Sequence, residues 1–228
     1  MDWKRRNRSF YTHDFPEPDD PELAPGRTAL LVVDVQNVYL DEPDPAGLDA
    51  AGLERYRQWH PFHQRVREVV VPNVGRLLER CRAADLDVAF VRVGSHRSDG
   101  RDRPRARRSL RQSLLLADDP EAQIPVQVAP GAGEFVATKT GDSALAGTGV
   151  AAMLHTIGIT DVVVAGVLTD QCVSSTVRGL ADESFSVILV EDACAAGTDA
   201  IHTAELATLN LLYCSVLTTE ELMGYLPR

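Results

Sequence analysis

The feature that most constrains this chain is a repeated alternation between short, valine-rich apolar runs and segments with helical periodicity. The runs are TALLVVDV at 28–35, DVAFVRV at 87–93, EFVAT at 134–138, DVVVAGV at 161–167, SFSVILVE at 184–191 and CSVLT at 214–218. A near-continuous apolar run of strand length suits a strand buried on both faces of a parallel sheet, because a half-exposed strand would alternate instead. Between the runs, a helix is expected from about Pro72, with Val74, Leu77, Leu78 and Cys81 at i, i+3, i+4 and i+7 and the proline in the first turn. Further helices are expected over about 148–157, from near Gln171, over about 199–212, and at the C-terminus. Such an alternation specifies a doubly wound, mainly parallel six-stranded α/β sheet with helices on both faces, a three-layer sandwich. The 228 residues divide into this domain at 28–228 and an N-terminal arm at 1–27. The arm has Trp3, Phe10, Tyr11 and Phe15 but no periodicity, which suits a segment that wraps something else, a neighbouring subunit for instance.

Charge and hydropathy exclude several classes of function. A formal net charge of −10 repels nucleic acid and anionic membranes. No stretch approaches the 18 or so apolar residues that a spanning helix needs, and 1–15 has charges throughout, so the expected setting is the cytoplasm. Cys81, Cys172, Cys194 and Cys214 show neither C-x-x-C spacing nor pairing with histidines, which argues against a disulfide framework or structural zinc and leaves each to be explained as a thiol.

In doubly wound sheets the site lies at the carboxyl ends of the strands. Three polar residues fall there: Asp34 after LLVV, Lys139 after FVAT, and Cys172 shortly after VVVAGV. Singly, each has an ordinary explanation, as a cap, a solvated end or a small core residue. Together they make a nucleophile with its support. A cysteine attacks as thiolate, a helix start lends partial positive charge, a carboxylate can take the proton, and an ammonium can hold that carboxylate in place.

The segments LLVVDVQN, KTGDSAL and GVLTDQCVSSTVR resemble, in order and context, the three signatures of the isochorismatase-like cysteine hydrolases, over about 28–220. The resemblance implies an Asp34–Lys139–Cys172 triad in which the aspartate deprotonates the thiol. The thiolate attacks an amide carbon, ammonia or an amine leaves, and water resolves the thioester-type intermediate. It further implies an oxyanion hole from the backbone N–H groups of Leu168 and Cys172, and a cis Val167–Leu168 peptide. The expected activity is cleavage of a C–N bond in a small amide, ureido or carbamoyl compound, without a cofactor, by a homodimer or homotetramer. Two alternatives stand beside it: an isochorismatase-type vinyl ether hydrolase, which typically lacks the cysteine, and a non-catalytic binding member. Nicotinamidases of this family hold a metal through an Asp-x-His motif near the second strand; here that region reads VRVGSHRSDG, so no metal is expected.

Weaker candidates surround this set. Gln36, His96 and Thr169 are possible substrate contacts, and Asn37 follows the first strand too. Trp59, His60, Phe62 and His63 suit an aromatic wall, a lid or plain surface packing. Residues 97–111 carry seven arginines and two aspartates, a local +5 that leaves −15 for the remainder. That run reads first as a solvated face or subunit contact, and second as an attractor for a carboxylate-bearing substrate. His202 has no role readable from its surroundings. The pocket lining falls to loops 41–63 and 94–125, which local pattern does not place.

Overall fold

The computed structural model describes residues 2–109 and 114–227; Arg111, the last of the arginine run, lies outside them. Six strands form one sheet: β1 (Thr28–Val33), β2 (Asp87–Val93), β3 (Phe135–Lys139), β4 (Asp161–Val167), β5 (Ser186–Ala195) and β6 (Ser215–Leu217). Their order is β3-β2-β1-β4-β5-β6 and every pairing is parallel. The order reverses between β1 and β4, so a crevice opens outside the carboxyl ends of those two strands. All six residues of β1 are buried, as its unbroken apolar run requires.

Helices cover both faces: α1 (Ala50–Arg65), α2 (Val71–Ala83), the short α3 (Arg105–Ser109), α4 (Val150–Thr156), α5 (Ser174–Asp182), α6 (Asp199–Leu209) and α7 (Thr219–Met223). One core layer packs Val74, Leu77 and Leu78 of α2 and Leu222 of α7 against Leu30, Val32 and Phe90. The opposite layer packs Val150 and Leu154 of α4, Val177 and Leu180 of α5 and Leu206 of α6 against Leu31, Val33 and Val164. Alternate residues of β1 thus serve opposite layers, as the two-residue period of a strand demands. Among the described residues no helix is long and apolar enough to cross a membrane.

Two local departures from the sequence pattern bear on the site. The stretch before Pro72 holds α1, capped by Asp49 Oδ1 accepting from Gly52 N–H at 2.8 Å and joined to α2 by a π-helical turn at Val66–Val70. Only Phe62 of α1 is buried, so there was no apolar stripe for periodicity to detect. The helix expected near Gln171 instead opens with a π-helical turn, Thr169–Val173, that leads into α5.

The N-terminal arm packs against its own chain. Trp3 is buried and donates to the Tyr225 hydroxyl, Arg6 pairs with Glu221 and Glu191, and Asn7 donates to Glu191. Phe10 and Tyr11 stay exposed.

Candidate active site

Asp34, Lys139 and Cys172 converge at the carboxyl edge of the sheet, at the order reversal. Asp34 follows β1 directly; it takes a left-handed backbone conformation (φ 51°), which aspartate tolerates better than most residues, and its N–H donates to Val91 O at 2.9 Å. Lys139 ends β3, two strands away, and its long side chain crosses the end of β2 to bring Nζ within 2.7 Å of Asp34 Oδ2. The same Nζ donates to Gly141 O at 2.9 Å and to Cys172 Sγ at 3.2 Å. Cys172 sits in the π-helical turn after β4. Asp34 is 0% exposed, Lys139 1% and Cys172 6%.

Burial dominates the proton affinities. It pushes the Asp34 carboxyl up, against the pull of Lys139. It pushes the Cys172 thiol well up too, and the Asp34 charge adds to that rise while Lys139 opposes it. Burial works against the Lys139 ammonium, yet the negative charge of Asp34 and Cys172 holds its affinity above the ordinary lysine value. The expectation that a helix start lowers the thiol's affinity is therefore corrected. Desolvation outweighs that partial charge and favours the neutral thiol over the thiolate.

A cavity of about 340 Å³ opens above the sulfur. Leu168, Gln171 and Cys172 contribute from the β4 end, Thr140, Gly141 and Asp142 from the β3 end, and Val38, Tyr39 and Trp59 form an apolar wall. Arg103 and Arg107 line the remaining side. Asp34 and Lys139 lie beneath this lining, so only the thiol of the three meets the cavity directly. The Val167–Leu168 peptide is cis.

The three residues expected to touch substrate are placed elsewhere. Gln36 is buried with its amide spent between strand ends: Nε2 donates to Val93 O and Ala122 O, and Oε1 accepts from Val93 N–H. Thr169 is buried with Oγ1 2.8 Å from His202 Nδ1. His96 is exposed and outside the cavity lining, its N–H donating to Asp102. Trp59 does form wall, while His60 pairs with Glu42. Among the described residues no group of three His, Cys, Asp or Glu side chains is arranged to hold a metal ion.

Sequence reasoning missed Asp142 and Arg107. Asp142 Oδ1 lies 3.9 Å from Cys172 Sγ, a second carboxylate at the sulfur, and Arg107 Nη2 donates to it at 2.7 Å and to Gln171 Oε1 at 2.9 Å. Asp142 stood in the KTGDSAL segment, three residues past Lys139, which was its one available signal.

The isochorismatase domain model matches residues 28–221. The ureidoacrylate amidohydrolase RutB of Serratia proteamaculans is 28% identical over 212 residues, covering 86% of this chain and 81% of the relative. A cysteine hydrolase from Pseudomonas syringae superposes with a TM-score of 0.75 at 24% identity, over 91% of this chain and 95% of the other. N-carbamoylsarcosine amidase from Thermoplasma acidophilum superposes with a TM-score of 0.65 at 24% identity, over 85% and 97%. At those identities the two superpositions speak for the fold.

Proposed function

This chain belongs to the isochorismatase domain family, and from that premise we propose that it is a cysteine hydrolase cleaving the C–N bond of a small amide, ureido or carbamoyl compound. The observation that carries this reading is the Lys139 ammonium, 2.7 Å from Asp34 and 3.2 Å from the Cys172 sulfur, buried beneath a cavity that Cys172, alone of the three, lines. The ureidoacrylate amidohydrolase relative supports C–N bonds as the target.

Asp34 takes the thiol proton as Sγ attacks the carbonyl carbon, and Lys139 balances the charge that moves between carboxylate and sulfur. The N–H groups of Leu168 and Cys172 receive the developing oxyanion; a comparable donor is worth about 3–4 kcal/mol elsewhere. Collapse of the tetrahedral intermediate breaks the C–N bond, and the proton held on Asp34 passes to the departing nitrogen. Water from the cavity then attacks the thioester-type carbon, giving up a proton as the C–S bond breaks and the thiol is restored. A vinyl ether hydrolase needs no thiol at this place, and a binding module needs no buried carboxylate, ammonium and thiol in contact.

The test is ammonia release from a panel of ureido, carbamoyl and carboxamide compounds, with Cys172→Ala as the blank. Release that Cys172→Ala abolishes is the expected result. Equal release by Cys172→Ala, or none from any compound, overturns the reading.

A further inference from the structure

Two carboxylates stand at the Cys172 sulfur, one on each side of the cavity floor. Asp34 is 0% exposed and takes no part in the lining, so water in the cavity does not touch it. Asp142 lines the cavity, with Oδ1 3.9 Å from Cys172 Sγ, and among the described residues it is the one carboxylate in that lining. Once Cys172 is acylated, the acyl group itself lies between the sulfur and the open space. The water that ends the cycle must then approach from the cavity side, where Asp142 is the base within reach. That reach is short: the acyl carbon is one C–S bond from Sγ and so stays within about 6 Å of Asp142 Oδ1. One water closes the gap, with a hydrogen bond of about 3 Å to the carboxylate and a near-attack contact of about 3 Å to the carbon.

Asp142 is also held in place. Arg107 Nη2 donates to its Oδ1 at 2.7 Å and to Gln171 Oε1 at 2.9 Å, which ties the carboxylate to the turn that carries Cys172. The backbone on either side is fixed as well: Gly141 O accepts from Lys139 Nζ at 2.9 Å, and Ala144 N–H donates to Thr176 Oγ1 at 2.9 Å. A base positioned before the reaction begins costs little ordering when the water arrives. The pairing with Arg107 leaves the Asp142 side chain 40% exposed, so it stays open to that water.

We propose that Asp142 is the general base of the second half-reaction and activates the water that hydrolyses the Cys172 thioester. The inference rests on the cysteine-hydrolase reading and adds a second catalytic carboxylate to it. At the end of the first half-reaction the thiol proton has left on the departing nitrogen. Asp142 then takes a proton from the water as the water oxygen bonds to the acyl carbon. The C–S bond breaks, the acyl group leaves as an acid, and the proton held on Asp142 returns to Sγ, 3.9 Å away, which restores both thiol and carboxylate.

The probe p-nitrophenyl acetate separates the two halves, because nitrophenolate release times the acylation and the acetyl group forms a thioester whatever the natural substrate. Asp142→Asn keeps the shape and an acceptor for Arg107 but removes the base. It is expected to keep a burst of nitrophenolate, to lose about 100-fold in the steady rate that follows, and to accumulate acetyl on the Cys172 peptide by mass spectrometry of quenched samples. Hydroxylamine, a stronger nucleophile than water, is expected to restore release in that variant. A merely structural role would not divide the two phases. Equal steady rates in Asp142→Asn and the parent, no burst in Asp142→Asn, or no rescue by hydroxylamine overturns the assignment while the nucleophile stands. Release by the parent no faster than by Cys172→Ala, with no acetyl on Cys172 in the parent or in Asp142→Asn, overturns the nucleophile and the inference together.

Discussion

Gly166 runs so close beside Val33 that a Cβ on the glycine would stand 1.9 Å from the Val33 carbonyl oxygen. The two residues are partners across β1 and β4, at a backbone angle (φ 129°) that side chains rarely adopt. Val33 precedes Asp34, and Gly166 stands two residues before Leu168. This contact therefore sets how near the carboxylate comes to the turn that carries Cys172.

Gly166→Ala is accordingly expected to be among the most damaging single-methyl changes available in the chain. Backbone must move where the new Cβ meets Val33, and a loss of about 3 kcal/mol or more follows from such overlap combined with a disallowed angle. Urea unfolding reads the stability and alkylation of Cys172 reads the site. A variant within about 0.5 kcal/mol of the parent would show that the strands do not constrain each other here.

The Lys139–Asp34 pair predicts a coupled loss. Asp34→Asn leaves an ammonium buried without its counter-charge, and Lys139→Met leaves a carboxylate in the same position, each costing about 3–5 kcal/mol in stability. Asp34→Asn also removes the proposed proton acceptor, so ammonia release should fall by about 100-fold or more. Because each single variant strands the other member of the pair and the double variant strands neither, the double variant is expected to lose clearly less than their sum in a double-mutant cycle. Additive losses would argue that the two charges do not sense one another.

Alkylation should single out Cys172. It faces the cavity and has Asp34 at its side, while Cys81 and Cys194 are wholly buried with thiol affinities pushed up to about 12 by desolvation, and Cys214 is pushed up further. Under limiting iodoacetamide, peptide mass spectrometry is expected to find Cys172 modified first, with activity falling in proportion. Preferential labelling of any other cysteine while activity persists would sink the nucleophile assignment.

His202 sets an acid limit on stability. It is buried beside Thr169 and Arg65, and burial, reinforced by the Arg65 charge, lowers its proton affinity to about 4. The unfolded chain, with an ordinary histidine near 6.5, binds the proton more readily, so this group's contribution is complete above about pH 6.5 and disappears as pH falls toward 4. The shift corresponds to about 3 kcal/mol at most. The urea midpoint should therefore fall more between pH 7 and pH 4.5 for the parent than for His202→Gln. Equal pH slopes for the two would remove His202 as the cause.

What sequence pattern could decide follows from the range over which its signals act. Burial on both faces is written locally in a strand, so β1 and β4 were legible as unbroken apolar runs, and a sheet of such strands places its site at their carboxyl ends. Asp34, Lys139 and Cys172 could be named because each immediately or nearly follows such a run. Only the tertiary structure decided what surrounds them. Gln36 and Thr169 looked available, but backbone ends and His202 consume their hydrogen bonds. Asp142 and Arg107 are 35 positions apart, and their meeting depends on how the loop after β2 folds across the end of β3. The direction in which the thiol's proton affinity moves was decided the same way: a helix start is visible in sequence, but the desolvation that opposes it is the sum of all the chain packed around Cys172, and no local segment carries that sum.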